Sequence, residues 1–278
     1  MHADSKLVKR QNCFFYTNID VEIKEVCSAL ERFAPLPLQE EYDNAGLQIG
    51  LTMADVSGVL LCLDVTESVL EEAVEKGCNM IVSHHPLLFR SLRHITEDTQ
   101  AERCTRYAIK HDLAIYSAHT NLDNAPGGVN FEMARRLELT DCRFLQSQDG
   151  KSGSGLLGEL PQSVSAEIFL RKVKGTFGVD CLQHNTLLSR PIKTVALCGG
   201  AGDFLLDEAI TAGADVFLTG EMHYHVFFGH EQEIQIGVLG HYQSEKFTID
   251  LLERILKERF PKLHIEKTTI CTNPICYM

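Results

Sequence analysis

The sequence predicts an α/β fold made of two similar halves related by internal duplication. Short apolar runs of strand length alternate with stretches of helical period, the pattern of a parallel sheet with helices on its faces. The order of these segments recurs further along the chain. Three of the apolar runs lead directly into histidines, at His84-His85, His119 and His241. Buried strands that deliver imidazoles at their carboxyl ends are a common way for such a fold to build a site.

Asp20 is expected to open the first helix, in which Ile23, Val26, Cys27, Leu30, Phe33 and Ala34 share one face; Pro35 and Pro37 end it. Residues 41–47 read as a polar turn running into an apolar segment, and 58–65 (GVLLCLDV) as a buried strand. Thr66 is placed to N-cap a helix carrying Val69, Leu70, Ala73 and Val74, which Gly77 stops. A strand ending at Ser83, a helix over 99–110 and a strand over 113–118 follow, then a short amphipathic helix from Gly128 to about Leu139. Residues 146–154 (QSQDGKSGS) are the most linker-like stretch. Beyond it come a strand at 156–160, a helix at 164–174, a strand at 193–198, a glycine loop at 199–202 and a helix at 204–211. A strand at 216–219, a histidine-rich loop, a strand at 236–239, a helix beginning near Gln243 and a terminal strand complete the expectation. The expected organisation is a disordered lead-in (1–17), a first α/β half (18–142), a connecting segment (143–192) and a second half (193–278).

The duplication is read residue by residue. A shift of 136 places Leu61-Cys62 on Leu197-Cys198, Leu70 on Leu206, Glu72 on Glu208, Ala73 on Ala209, Gly77 on Gly213 and Ser83 on Thr219. It also places His84-His85 on Gly220-Glu221, and a shift of 122 brings His119 onto His241 and Asp123 onto Glu245. Two such halves would turn equivalent strand ends toward a common cleft.

Composition narrows the function classes. The chain carries a net charge of −12 over 278 residues, which argues against a general binder of nucleic acid or anionic membranes. No apolar run approaches the roughly 18 residues of a membrane span, and a cytoplasmic location is expected. The ten cysteines are scattered without a Cys-x-x-Cys pair and read mostly as reduced core residues; the five-residue spacing of Cys271 and Cys276 is weak ground for a pair. Walker, dinucleotide and nucleophile-elbow motifs are missing, which disfavours kinases, dehydrogenases and serine hydrolases. The 199–202 loop resembles a phosphate cradle but reads better as a tight connection.

His84, His85, Asp123, His241 and Glu245 are the candidate metal ligands. His241 and Glu245 stand at i and i+4, on one face if the turn after Gly240 is helical. His84 and His85, adjacent at a strand end, point to opposite sides and suit two ions. Five such ligands are too many for one four-coordinate zinc and fit a dinuclear site with a bridging carboxylate; two ions ~3.5–4 Å apart lower the pKa of a shared water toward neutrality. Imidazole with carboxylate suits Zn first, and also Mn, Fe, Co or Ni. His119, His223, His225, Asp43 and Asn44 are candidates for supporting roles around the ligands. Each has an ordinary alternative as a surface pair or a turn.

The stretches 42–47 (YDNAGL), 83–89 (SHHPLLF), 118–130 (AHTNLDNAPGGVN), 213–221 (GADVFLTGE) and 240–245 (GHYQSE) together resemble the Nif-three family, whose members are also labelled GTP cyclohydrolase I type 2 homologues. The match runs in order from about residue 18 to 256. The resemblance implies two intertwined three-layer α/β/α halves, a dinuclear metal site between them, a ring-like homohexamer, and the same five ligands with Glu245 as the bridge. Tyr42 stands where family members often have Trp. Residues 143–192 are too few for the small domain that longer members insert. The family label implies opening of the guanine imidazole ring by metal-activated water. From this the chain is expected to be a metal-dependent hydrolase of a nucleotide-like or other small substrate, with Glu245 or a nearby histidine managing the proton. The alternatives are a metal-handling protein without chemistry and an interaction protein with structural metals.

Overall fold

The computed structural model describes residues 21–147 and 150–278; the expected lead-in (1–17) and Asp20 lie outside the described residues. Elements run in the order α1 (Ile23–Phe33), β1 (Gly46–Ile49), β2 (Val59–Cys62), α2 (Glu67–Glu75), β3 (Met80–Ser83), α3 (Gln100–Lys110), β4 (Ala114–Ser117), α4 (Thr120–Asp123), α5 (Val129–Leu137) and β5 (Thr140–Gln146). There follow β6 (Ser154–Val164), α6 (Ala166–Phe177), β7 (Gln183–His184), β8 (Ile192–Ala201), α7 (Leu206–Thr211), β9 (Val216–Glu221), β10 (Gln235–Val238), α8 (His241–Glu245), α9 (Thr248–Arg259) and β11 (Ile265–Lys267).

Local signals explain most boundaries. Thr66 caps α2 by accepting from the Val69 N–H, Thr99 caps α3 and Ser165 caps α6 in the same way. Helix α1 is capped by Glu22 in a capping box with Glu25. Gly178, in the left-handed region, ends α6.

The strands form two sheets, in the orders β1-β4-β3-β2-β11 and β5-β6-β8-β9-β10-β7. In each, three parallel strands are central (β2-β3-β4 and β8-β9-β10), with an antiparallel strand beyond the third (β1 on β4, β7 on β10). The 136-residue shift carries β2 into β8 and β3 onto the first four residues of β9, and the 122-residue shift carries α4 into α8. The internal duplication is therefore visible in the fold.

The alternation of side chains along the strands sorts the layers. Val59 and Leu61 of β2 share a core with Val195 and Leu197 of β8, filled in by α1, α5, α6 and α9. Leu60 and Cys62 face the other way onto α2 and α3, while Ala196 and Cys198 face α7. The result is five layers, α/β/α/β/α, in which both halves share the middle helices. That is the intertwined arrangement expected. Within the shared layer the buried Glu132 accepts from Arg135 and Arg136 of its own helix and from Arg254 of α9, binding α5 to α9.

Four expectations need correction. The 146–154 stretch is the loop of the β5–β6 hairpin rather than a linker, although residues 148 and 149 lie outside the described residues. Residues 143–192 do more than connect: they supply most of β5, all of β6 and β7, and α6 to the second sheet. The sheets are mixed, not wholly parallel, because β1, β5, β6 and β7 join them antiparallel. Finally, β11 returns to the first sheet beside β2, so the chain's last strand does not stay with the second half. Every cysteine among the described residues is a free thiol. No helix among them is long and apolar enough to cross a membrane.

Candidate metal centre

The carboxyl ends of the central strands of both sheets meet in the shared middle of the molecule. Strand β3 ends in His84 and His85, β4 in His119 and the short α4 with Asp123, and β10 leads through Gly240 into α8 with His241 and Glu245. Gly240 has φ +97°, the left-handed region that glycine tolerates, and the helix begins at the very next residue. His241 and Glu245 therefore share a helix face as expected. At the end of β8, Gly200 (φ +61°) lies against Glu245 so closely that a Cβ there would strike the carboxylate oxygen Oε1.

Four imidazoles converge on this point, with ring centroids 4.9 Å apart for His84 and His85, 5.5 Å for His85 and His119, and 5.2 Å for His85 and His241. Each donates its Nδ1 proton outward. His84 donates to the Ala118 carbonyl (2.7 Å), His85 to Asp64 (2.7 Å), His119 to Asp43 (2.7 Å) and His241 to Glu221 (2.9 Å). This fixes the tautomer and turns Nε2 inward, the arrangement found around metal-ligating histidines.

Glu245, buried at the centre, divides its two oxygens. Oε2 lies 3.0 Å from His85 Nε2 and 3.1 Å from His241 Nε2; Oε1 lies 3.7 Å from His84 Nε2, which is itself 3.8 Å from Asp123 Oδ1. His84 Nε2 and Asp123 Oδ1 are buried without any hydrogen-bond partner. Such orphans are rare in folded proteins and call for an explanation; a cation between them supplies one. On the other side, the Nε2 atoms of His85 and His241 face each other at 3.2 Å, which two lone pairs tolerate only with a proton or a metal between them. His84 thus lies beside one oxygen of the Glu245 carboxylate, with Asp123 next to it, and His85 and His241 lie beside the other. Among the described residues the groups His84-His85-His119 and His85-His241-Glu245 are each close enough to hold an ion, and Asp123 belongs to neither.

The electrostatics agree. Burial would lower the His85 imidazolium pKa, but hydrogen bonds to Asp64 and Glu245 outweigh it and raise it to about 10. His241, likewise opposed by burial, is raised to about 9 by Glu245. Burial next to Glu245 pushes Asp123 up to about 7, against the pull of His84. Glu245 resists its own burial and lies well below the usual carboxylate range, because His84, His241 and His85 surround it. Left without metal, this site gathers protons.

Of the supporting candidates, His119 and Asp43 enter the cluster; Asp43 also accepts from the Thr120 N–H (3.0 Å) and so caps α4. Asn44 instead pins the loop after His85 through the Leu88 carbonyl (2.7 Å). His223 is paired with Asp203 on the rim of a neighbouring chamber, and His225 meets Tyr224 edge-on and stacks with Phe228 on the surface; neither reaches the cluster. Asp64 and Glu221 went unnoticed in the sequence, although both close strand-like runs and Glu221 is the duplicate of His85.

A family model described as Duf34/NIF3 (NGG1p interacting factor 3) matches residues 21–274. The chain belongs to the Duf34/NIF3 family. It is 31% identical over 252 residues to the GTP cyclohydrolase 1 type 2 homolog of Clostridium acetobutylicum, covering 89% of this chain and 94% of that one. The similarly named Lactococcus lactis protein is 34% identical over 236 residues, 82% of this chain and 88% of the other. Among solved structures, the Duf34/NIF3 fold is matched by Staphylococcus aureus protein SA1388 with a TM-score of 0.85 at 25% identity, over 94% of this chain and all of that one. Reduced HcgD from Methanocaldococcus jannaschii matches with a TM-score of 0.76 at 25% identity, over 91% and 99% of the two chains.

Proposed function

We propose that this Duf34/NIF3 protein is a dinuclear divalent-metal protein acting as a metal-dependent hydrolase on a small substrate. The observation that carries the reading is the division of Glu245 between two donor sets, one of which contains two orphaned buried atoms. His84, Asp123 and Glu245 would hold one ion and His85, His241 and Glu245 the other, with zinc the best match to an imidazole–carboxylate set. When bound, such a pair of ions acidifies water and polarises a substrate carbonyl or ring carbon.

The remaining roles belong to the chain. Asp64 and Glu221 keep the His85 and His241 rings turned inward. His119, whose Nδ1 is held by Asp43, would accept a proton at the centre and pass it out toward solvent. Gly200 keeps room for the Glu245 carboxylate. The names of the relatives support a ring-opening hydrolysis as the reaction class. Assembly as a homohexamer in the cytoplasm completes the proposal, with a solution mass near six chains as its check.

Turnover is tested with metal-loaded protein, its chelated form and His119→Ala on purine and pyrimidine nucleosides and nucleotides. Loss of activity on chelation, restored by metal, with His119→Ala reducing kcat about 10²-fold or more when compared at equal metal content, supports hydrolysis. Metal-replete protein inert on the whole panel contradicts it.

A further inference from the structure

Beside the metal centre lies a chamber of about 450 Å³, within the range of about 300–1,000 Å³ typical of small-molecule sites. His85, His119 and His241 form its floor. Its apolar walls are Leu63, Pro86, Phe89, Tyr242, Pro274 and Ile275. Seven of its twelve lining residues carry rings. Phe89 meets His119 edge-on at 6.1 Å and leaves 43% of its surface exposed.

One wall belongs to the segment after β11, which is tied down along its length. Thr268 N–H donates to the Leu61 carbonyl (2.9 Å), Thr269 N–H to Glu72 (2.8 Å) and the Thr272 hydroxyl to Asp64 (2.5 Å). Asp64 is the carboxylate that orients His85, so one side chain fastens both the wall and the floor.

The charge of the surroundings has one sign. Among the described residues, no Lys or Arg lines this chamber or the two others that border His241. Carboxylates line all of them: Asp64 and Glu221 here, Asp203 and Glu40 in the neighbours. Phosphate recognition relies on guanidinium or ammonium groups or on a helix N-terminus. A bound ion would attract one phosphate, but the rest of a triphosphate would lie against Glu221 or Asp64.

Resting on the reading of the cluster as a metal centre, we propose that this chamber takes an uncharged, planar heteroaromatic ring without phosphate, a nucleobase free or on its sugar, and that residues 273–275 set its size. The ring stacks among Phe89, Pro274 and Ile275 and presents an edge to the histidine floor. The nucleotide implied by the family label is thereby narrowed to its base.

Calorimetric titration of the full, zinc-loaded chain with guanosine, uridine and their triphosphates tests this, with metal content assayed on the same samples. At least one nucleoside should saturate and bind about tenfold or more tightly than its triphosphate. Ile275→Trp, which fills the chamber, should weaken that nucleoside at least tenfold with metal content unchanged. Asn273→Arg should shift preference toward the triphosphate. Equal or tighter binding of the triphosphates by the wild type, absence of saturation by either nucleoside, or indifference to Ile275→Trp would each overturn the proposal. Nucleoside binding that Ile275→Trp abolishes in protein found to hold no metal would uphold the chamber and sink the metal centre instead.

Discussion

Glu245 and its imidazoles show how much depends on single protons. In metal-free protein His85 and His241 hold protons up to about pH 10 and 9, well above their ordinary value of 6.5. Their contribution to stability is full below about pH 6.5 and is lost as pH rises through 9 and 10. A metal entering between them must displace both protons. Its apparent affinity should therefore climb about a hundredfold per pH unit between pH 7 and 8.5, two protons at tenfold each. Competition titrations with a chromogenic chelator would measure the slope, and a flat profile would contradict the assignment. Asp64 acts one step further out. Asp64→Asn keeps the shape but weakens its hold on His85 and on Thr272, and should cost about 10–100-fold in metal affinity by the same titration. The converging side chains were legible in the sequence because His84-His85, His119 and His241 follow apolar runs and Asp123 and Glu245 each stand four residues after one of these histidines. The orienting carboxylates were less so, since the partnerships Asp64–His85 and Glu221–His241 span 21 and 20 residues and no local spacing announces them.

At the scale of elements, the site depends on how strands stop. Strand β8 ends in a backbone twist that only Gly200 makes without strain, and the space a side chain would fill there is occupied by Glu245. Gly200→Ala adds about 1–3 kcal/mol of left-handed strain and pushes the carboxylate off its position. Metal content should fall sharply while far-ultraviolet circular dichroism at 20 °C is retained; full metal content would show that Glu245 has other room. Helices and central strands were readable because their signals are local, as with Thr66 and Thr99 at their caps and GVLLCLDV in β2. The edge strands were not. β5 is partly and β7 fully exposed, and both carry polar residues that no burial pattern marks. What makes them strands is the neighbour they pair with, which a window of sequence does not contain.

Over the whole molecule, duplication explains why the candidate ligands come from distant parts of the chain. Two related sheets share one layer of helices, so their equivalent strand ends face each other and both contribute. The return of β11 to the first sheet then brings the terminal segment across to the centre. Glu72 of α2 secures it: burial alone would raise this carboxyl, but Thr268, Thr269 and Lys76 hydrogen-bond to it and lower it to about 2. A lowered carboxyl stabilises above its ordinary value of 4.5, and that contribution disappears as pH falls through about 2. The difference in thermal midpoint between wild type and Glu72→Gln should be greatest above pH 5 and shrink toward pH 2; a difference independent of pH would mean that charge plays no part. This crossing was the feature least visible in the sequence, because a three-residue strand near the end of the chain carries no mark of which sheet it joins.

The most direct test of the metal centre is the number of divalent ions per chain in protein purified without chelator, wild type beside Glu245→Ala. Two ions per wild-type chain, with the folded variant losing both or nearly so, is the predicted result. Equal metal content in the two proteins, or none in the wild type even after incubation with zinc, would contradict it.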